Sequence, residues 1–188
     1  MEDLSKSIEL FFMERYKGWE GAEQFRGTSE RLVRMVDELC WPLDKIEREA
    51  RKCLEAEFSN KYDEMVVSGP TSVWTLCPHH LLLCNFRVYI GCIPNGKVLG
   101  LSKYSRVAKI MGRRPIMQET YVRELADILD TSLKPLGVGV YVIGSHGCMT
   151  SRGVEQEEAS IATTQLVGNF REAGVKKEFY DIVKRRPV

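Results

Sequence analysis

Histidine is scarce in this chain, with three among 188 residues: His79, His80 and His146. A dominant charge of one sign is also missing, since 27 Lys+Arg stand against 26 Asp+Glu for a formal net charge of +1. That balance excludes a general polyanion binder and predicts no nucleic-acid partner, while leaving room for a local basic pocket. No apolar run approaches the ~20 residues of a membrane span, so no membrane partner is expected. The start, Met1-Glu2-Asp3-Leu4, lacks the basic-then-apolar order of an export signal, which makes the cytoplasm the expected location. What is present, 44% hydrophobic and 28% charged residues, predicts a folded core rather than disorder. Six cysteines in a chain read as intracellular are expected to be thiols.

The N-terminal part reads as helices. Leu4, Ile8, Phe11 and Phe12 fall at helical spacing, and Gly18 and Gly21 punctuate the end. Leu32, Val36, Leu39 and Cys40 form a second stripe, with Thr28 or Ser29 as the expected N-cap. Pro42 breaks or restarts the helix, and Asp44 to Glu57 continues helical. From about Tyr62 the character changes. Val66-Val67 and Ser72 to Leu76 are β-rich around Ser68-Gly69-Pro70, and Phe86, Val88, Ile90 and Cys92 alternate as in a half-buried strand. After the Pro94-Asn95-Gly96 turn come a helix capped by Ser102, a helix from Gln118 to Leu133, and strands at Val138 to Ile143 and Ile161 to Val167. A last helix runs from Lys176 to Val183. Strands bracketing two consecutive helices predict an α+β domain over residues 61–188, preceded by a helical region over residues 1–60.

The histidines are concentrated beside cysteines. Cys77-Pro78-His79-His80 puts a thiolate and an imidazole three apart, and His146-Gly147-Cys148 supplies a second pair far downstream. Zinc binds thiolate sulfur and imidazole nitrogen, and a Cys/Cys/His set leaves one tetrahedral position open, as in catalytic sites. His79 and His80 are neighbours that would point apart on a regular strand, so one is expected on the metal and the other is free for proton transfer. Cys40, Cys53 and Cys92 read as plain buried thiols. Cys84 has two readings, a spare ligand or a buried thiol, with the second favoured.

Ser102, Lys103 and Arg106 place a hydroxyl and two cations at a helix start, where backbone amides and the dipole favour anions. Arg152, Arg31 and Arg34 can add positive charge, although each also suits an ordinary solvated surface. Gln118-Glu119 is either a helix-start pair or a donor/acceptor pair for a nitrogenous base, since a carboxylate can accept from two adjacent N–H groups.

In order and spacing, several stretches resemble GTP cyclohydrolase type I. They are Tyr62 to Val66, Cys77-x-His79-His80, Ile93 to Lys103 with Arg106, Gln118-Glu119, His146-x-Cys148-Met149, Arg152-Gly153 and Gly168-Asn169-Phe170. The resemblance spans about residues 28–183. It implies a tunnelling fold, an antiparallel sheet with helices on one face, whose subunits join into a homo-oligomer, commonly a toroidal decamer. It implies Zn2+ on Cys77, His80 and Cys148, acid/base roles for His79 and His146, and guanine recognition by Gln118 and Glu119. Ser102, Lys103, Arg106 and Arg152 line up with the triphosphate side, and Arg31 and Arg34 with groups from a neighbouring subunit. The implied substrate is GTP, converted with water to 7,8-dihydroneopterin triphosphate and formate. A related tunnelling-fold enzyme of 7-deazaguanine or pterin metabolism, and a zinc-stabilised homologue without turnover, are the competing readings.

Overall fold

A computed structural model of the chain describes residues 2–186, with the side chains of Glu2, Asp3 and Leu4 outside the description. Two units are distinguished, one ending at Trp41 and one beginning at Pro42. The first holds α1 (Glu2–Arg15), a 3-10 turn (Glu20–Phe25) and α2 (Thr28–Leu39). Phe12, Tyr16, Trp19 and Phe25 pack their rings together, with Phe12 and Phe25 5.3 Å apart. The expected cap at Thr28 or Ser29 is not used. Gly27 takes the N-cap position at φ 76°, where a side chain would be strained, and Glu9 of α1 does the capping. Its carboxylate accepts from the amides of Gly27 at 3.2 Å and Ser29 at 2.9 Å. These bonds, Ser29's first, hold the Glu9 carboxyl below the usual range, as expected for an anion at a helix N-terminus.

Pro42 caps α3 (Leu43–Leu54), which buries Ile46, Ala50, Cys53 and Leu54 against α4 (Leu101–Met111) and α5 (Gln118–Leu133). Because α3 packs on these helices, it belongs to the second unit, which starts at Pro42. The helix ends before Glu57, which opens a short strand β1 (Glu57–Ser59) paired with β4 (Lys97–Leu99). The main sheet is antiparallel, in the order β2 (Val66–Leu76), β3 (Leu83–Ile93), β5 (Gly137–His146), β6 (Ile161–Gly168). Gly69-Pro70 does not interrupt β2. The register shifts between Ser68 and Thr71 instead, and an edge strand tolerates both the bulge and the missing proline donor.

Val73, Phe86, Val88, Ile90, Val138, Val140 and Val142 are buried on the sheet face covered by α4 and α5. This is the expected α+β arrangement. The other face of β3 is buried too, so the half-buried strand foreseen from the alternation is covered on both sides over Tyr89 to Ile93. The cause is the C-terminal segment, a 3-10 turn (Asn169–Arg171) leading into α7 (Ala173–Lys184). Phe170, Phe179 and Val183 pack there on Tyr89 and Ile93. Phe170 lies over Gly91 and Gly139, register partners at which a Cβ would run into its ring. Phe170→Ala is expected to cost about 3–5 kcal/mol of stability, the range for a buried phenylalanine, read as a lowered denaturant midpoint at constant slope. A change under about 1 kcal/mol would show this second cluster to be dispensable.

Among the described residues no helix is long and apolar enough to cross a membrane.

Candidate metal centre

The site forms where two chain segments meet, the loop after β2 and the turn after β5. Cys77 follows β2, and the chain folds back at once. The Leu81 amide donates to the Cys77 carbonyl at 2.9 Å and the Cys77 amide to the Leu82 carbonyl at 2.8 Å, with Leu81 at φ 53°. This tight loop returns His80 to Cys77. Cys148 sits in α6 (Gly147–Thr150), the single turn after β5. The β3–β5 register puts Cys84 directly opposite His146, which brings the end of β5 beside the Cys77 loop.

The ligand atoms of Cys77, His80 and Cys148 lie within 4.8 Å of one another. Cys77 Sγ and His80 Nδ1 are 3.6 Å apart. A tetrahedral zinc with metal–sulfur and metal–nitrogen bonds of about 2.3 and 2.0–2.1 Å would separate these two ligands by about 3.6 Å, so the donor set fits that ion. Desolvation, and after it the neighbouring Cys77 sulfur, raises the Cys148 thiol above its ordinary range, with Arg152 partly opposing. Two thiolates held so close need a cation between them. The group can hold a metal.

His79 is exposed, with Nδ1 3.9 Å from Cys77 Sγ, and its ring is turned 72° from that of His80. His146 is half-buried. Burial pulls its imidazole below the ordinary histidine value, and Glu119, exposed in the first turn of α5, partly opposes this.

Gln118, which the resemblance assigns to guanine recognition, has its side chain turned into the protein. It is 2% exposed. Its amide nitrogen donates towards the carbonyls of Val142 and Ile161 and the Thr163 hydroxyl, and its Oε1 lies 2.8 Å from His146 Nε2. Both amide hydrogens are therefore committed inside the protein. The sequence gives no sign of this, because the acceptors come from two strands that only the fold aligns.

Ser102, Lys103 and Arg106 lie on α4, whose N-cap is Gly100 and not Ser102; Ser102 and Arg106 are exposed. Arg152 is exposed just beyond α6. Arg31 and Arg34 belong to α2 in the N-terminal unit, where Arg31 donates to the Arg26 carbonyl at 3.1 Å. Cys84 is not one of the three clustered ligands. Its sulfur is 3.4 Å from His146 Nδ1, and burial, with Cys77 and Cys148 nearby, pushes its thiol up to about 11. The clue to this contact was the apolar alternation of β3, which continues back from Phe86 to Cys84.

The chain matches the GTP cyclohydrolase I family model over residues 12–184. It is 41% identical over 133 residues to GTP cyclohydrolase 1 of Saccharomyces cerevisiae, covering 71% of this chain and 55% of that protein. With GTP cyclohydrolase 1 of a Hydrogenobaculum species it shares 35% identity over 164 residues, 87% of each chain. The crystal structure of the archaeosine synthase QueF-Like in the apo form is 19% identical, with a TM-score of 0.43 over 55% of this chain and 93% of that one. The match thus spans about half of the yeast relative and most of the Hydrogenobaculum one. With the family model running from the N-terminal helix to the end of α7, the chain belongs to the GTP cyclohydrolase I family.

Proposed function

We propose that this protein is a zinc-dependent GTP cyclohydrolase, converting GTP and water to 7,8-dihydroneopterin triphosphate and formate. The observation that carries this reading is the convergence of Cys77, His80 and Cys148 within 4.8 Å, with His146 in the adjoining β5 position. Zinc, when bound, supplies a Lewis acid that makes water a usable nucleophile near neutral pH. The chain supplies the rest. Protonation of the guanine nitrogen beside C8 makes that carbon attackable, and we assign it to His146, half-buried beside the metal loop, acting through Nδ1 of its protonated form because Nε2 faces Gln118 Oε1. His79, exposed beside the metal loop, serves the later proton transfers as the ribose opens, rearranges and recloses. Glu119 accepts from the two adjacent N–H groups of the guanine edge. Ser102, Lys103, Arg106 and Arg152 take the triphosphate, and Arg31 and Arg34 reach it from a neighbouring copy. In this reading the edges of the sheet, β2 and β6, are the natural joints of the expected ring.

The test is direct. Zinc-loaded protein incubated with GTP should release one formate per GTP and yield a pterin that fluoresces after oxidation, and a chelator should abolish both. GTP binding without formate from a metal-replete sample would favour the homologue without turnover.

A further inference from the structure

The amide nitrogen of Gln118 faces three oxygens: the Val142 carbonyl at 3.3 Å, the Ile161 carbonyl at 2.9 Å and the Thr163 hydroxyl at 2.9 Å. Backbone carbonyls only accept, so this end of the side chain is its NH2. Oε1 is then the end that meets His146 Nε2 at 2.8 Å, and a carbonyl oxygen cannot donate. The ring nitrogen facing it must carry hydrogen. In the neutral imidazole that leaves Nδ1 bare.

Cys84 stands at that second nitrogen, with Sγ 3.4 Å from Nδ1. Its thiol hydrogen has two acceptors in reach, Nδ1 and the Leu82 carbonyl at 3.8 Å. A neutral thiol can therefore donate to the bare nitrogen, or turn to Leu82 when Nδ1 carries a proton. Phe86 packs on the ring with centroids 5.7 Å apart. Gly144 leaves the space Gln118 needs, since a Cβ there would collide with Oε1. Gln118, Cys84 and Phe86 thus each contact the imidazole.

We propose that Gln118 is a positioning residue which, with Cys84, holds the neutral His146 ring as its Nε2–H tautomer and leaves Nδ1 as the bare nitrogen. The inference deepens the proposed function and rests on it only for the role of His146 in proton transfer. Donation to a base by the Gln118 side chain would need free amide hydrogens, and both are spent on the sheet.

With three histidines in the chain, the tautomer is open to measurement. Zinc-loaded protein labelled with 15N in histidine is examined by magic-angle-spinning NMR without GTP, at a pH where the ring is neutral. The His146 signals are assigned by their loss in His146→Asn. One protonated nitrogen, at Nε2, and one bare nitrogen, at Nδ1, are expected; a protonated Nδ1 with a bare Nε2 overturns the proposal. This reading needs no catalysis, so absence of formate would end the proposed function and leave the tautomer result standing. Cys84→Ala should move the Nδ1 resonance, and an unmoved signal removes the thiol from the arrangement. Gln118→Met should mix the tautomers and lower kcat about 10–100-fold, the scale on which orienting partners of functional histidines act, with KM for GTP within about twofold. A raised KM with unchanged kcat would instead make Gln118 a base contact and overturn its positioning role.

Discussion

Cys148→Ala should leave the protein folded and without metal. Bound zinc is expected to fall from about one per chain to near zero after dialysis, and formate release from GTP by at least ~10³-fold, equivalent to ~4 kcal/mol of barrier. The reasoning is geometric. Cys148 supplies one of three clustered ligand atoms, and two remaining donors on one short loop, Cys77 and His80, cannot build a tetrahedral site. The residue is half-buried in the first half of a one-turn helix and is not among the buried core residues, so the substitution removes little packing. Elemental analysis and circular dichroism on the same sample separate the outcomes. A variant that keeps its zinc and its turnover would remove Cys148 from the metal set, and Cys84, the nearest spare sulfur, would be the first place to look. A variant that loses zinc yet keeps full formate release would sink metal dependence altogether.

The pairing of thiol with imidazole was visible along the chain because both clusters are local, Cys77 to His80 and His146 to Cys148, and short-range spacing survives folding. That the two clusters meet is expected from their donor chemistry, and the resemblance narrows the set to Cys77, His80 and Cys148; the β3–β5 register supplies the physical reason. Strands and helices were legible wherever apolar periodicity was strong, as in Val122, Leu125, Ala126 and Leu129 of α5. The departures share one cause. Glu9 caps α2 from another helix, Phe170 settles over glycines of two strands, and Gln118 turns its amide to carbonyls of β5 and β6. Each is a contact between residues distant in sequence, so periodicity carries no trace of it. Gln118 shows the consequence for function. Its position beside Glu119 suggests a base-recognition pair, but successive residues of a helix do not share a face. The first turn of α5 sends Gln118 inward to His146 and leaves Glu119 exposed.

His146→Ala should produce the opposite signature to Cys148→Ala: zinc retained, formate lost. Among the described residues the clustered metal ligands are Cys77, His80 and Cys148, and His146 Nε2 and Nδ1 are turned to Gln118 and Cys84 instead. Removing the imidazole therefore leaves the metal set untouched while deleting the proposed proton donor. General acid–base catalysis of this kind contributes about 10²–10⁴-fold, so kcat for formate release should drop by that factor, roughly 3–5 kcal/mol of barrier. The loss leaves a polar cavity lined by Gln118 and Cys84, whose partners in the sheet and the Leu82 carbonyl remain, so gross unfolding is not expected. Zinc content near one per chain with GTP still bound, and formate release slowed within that range, is the predicted combination. Zinc lost together with activity would instead make His146 a ligand or a scaffold for the ligands. Undiminished formate release would take His146 out of the chemistry and hand its proton to His79, the remaining histidine outside the metal set.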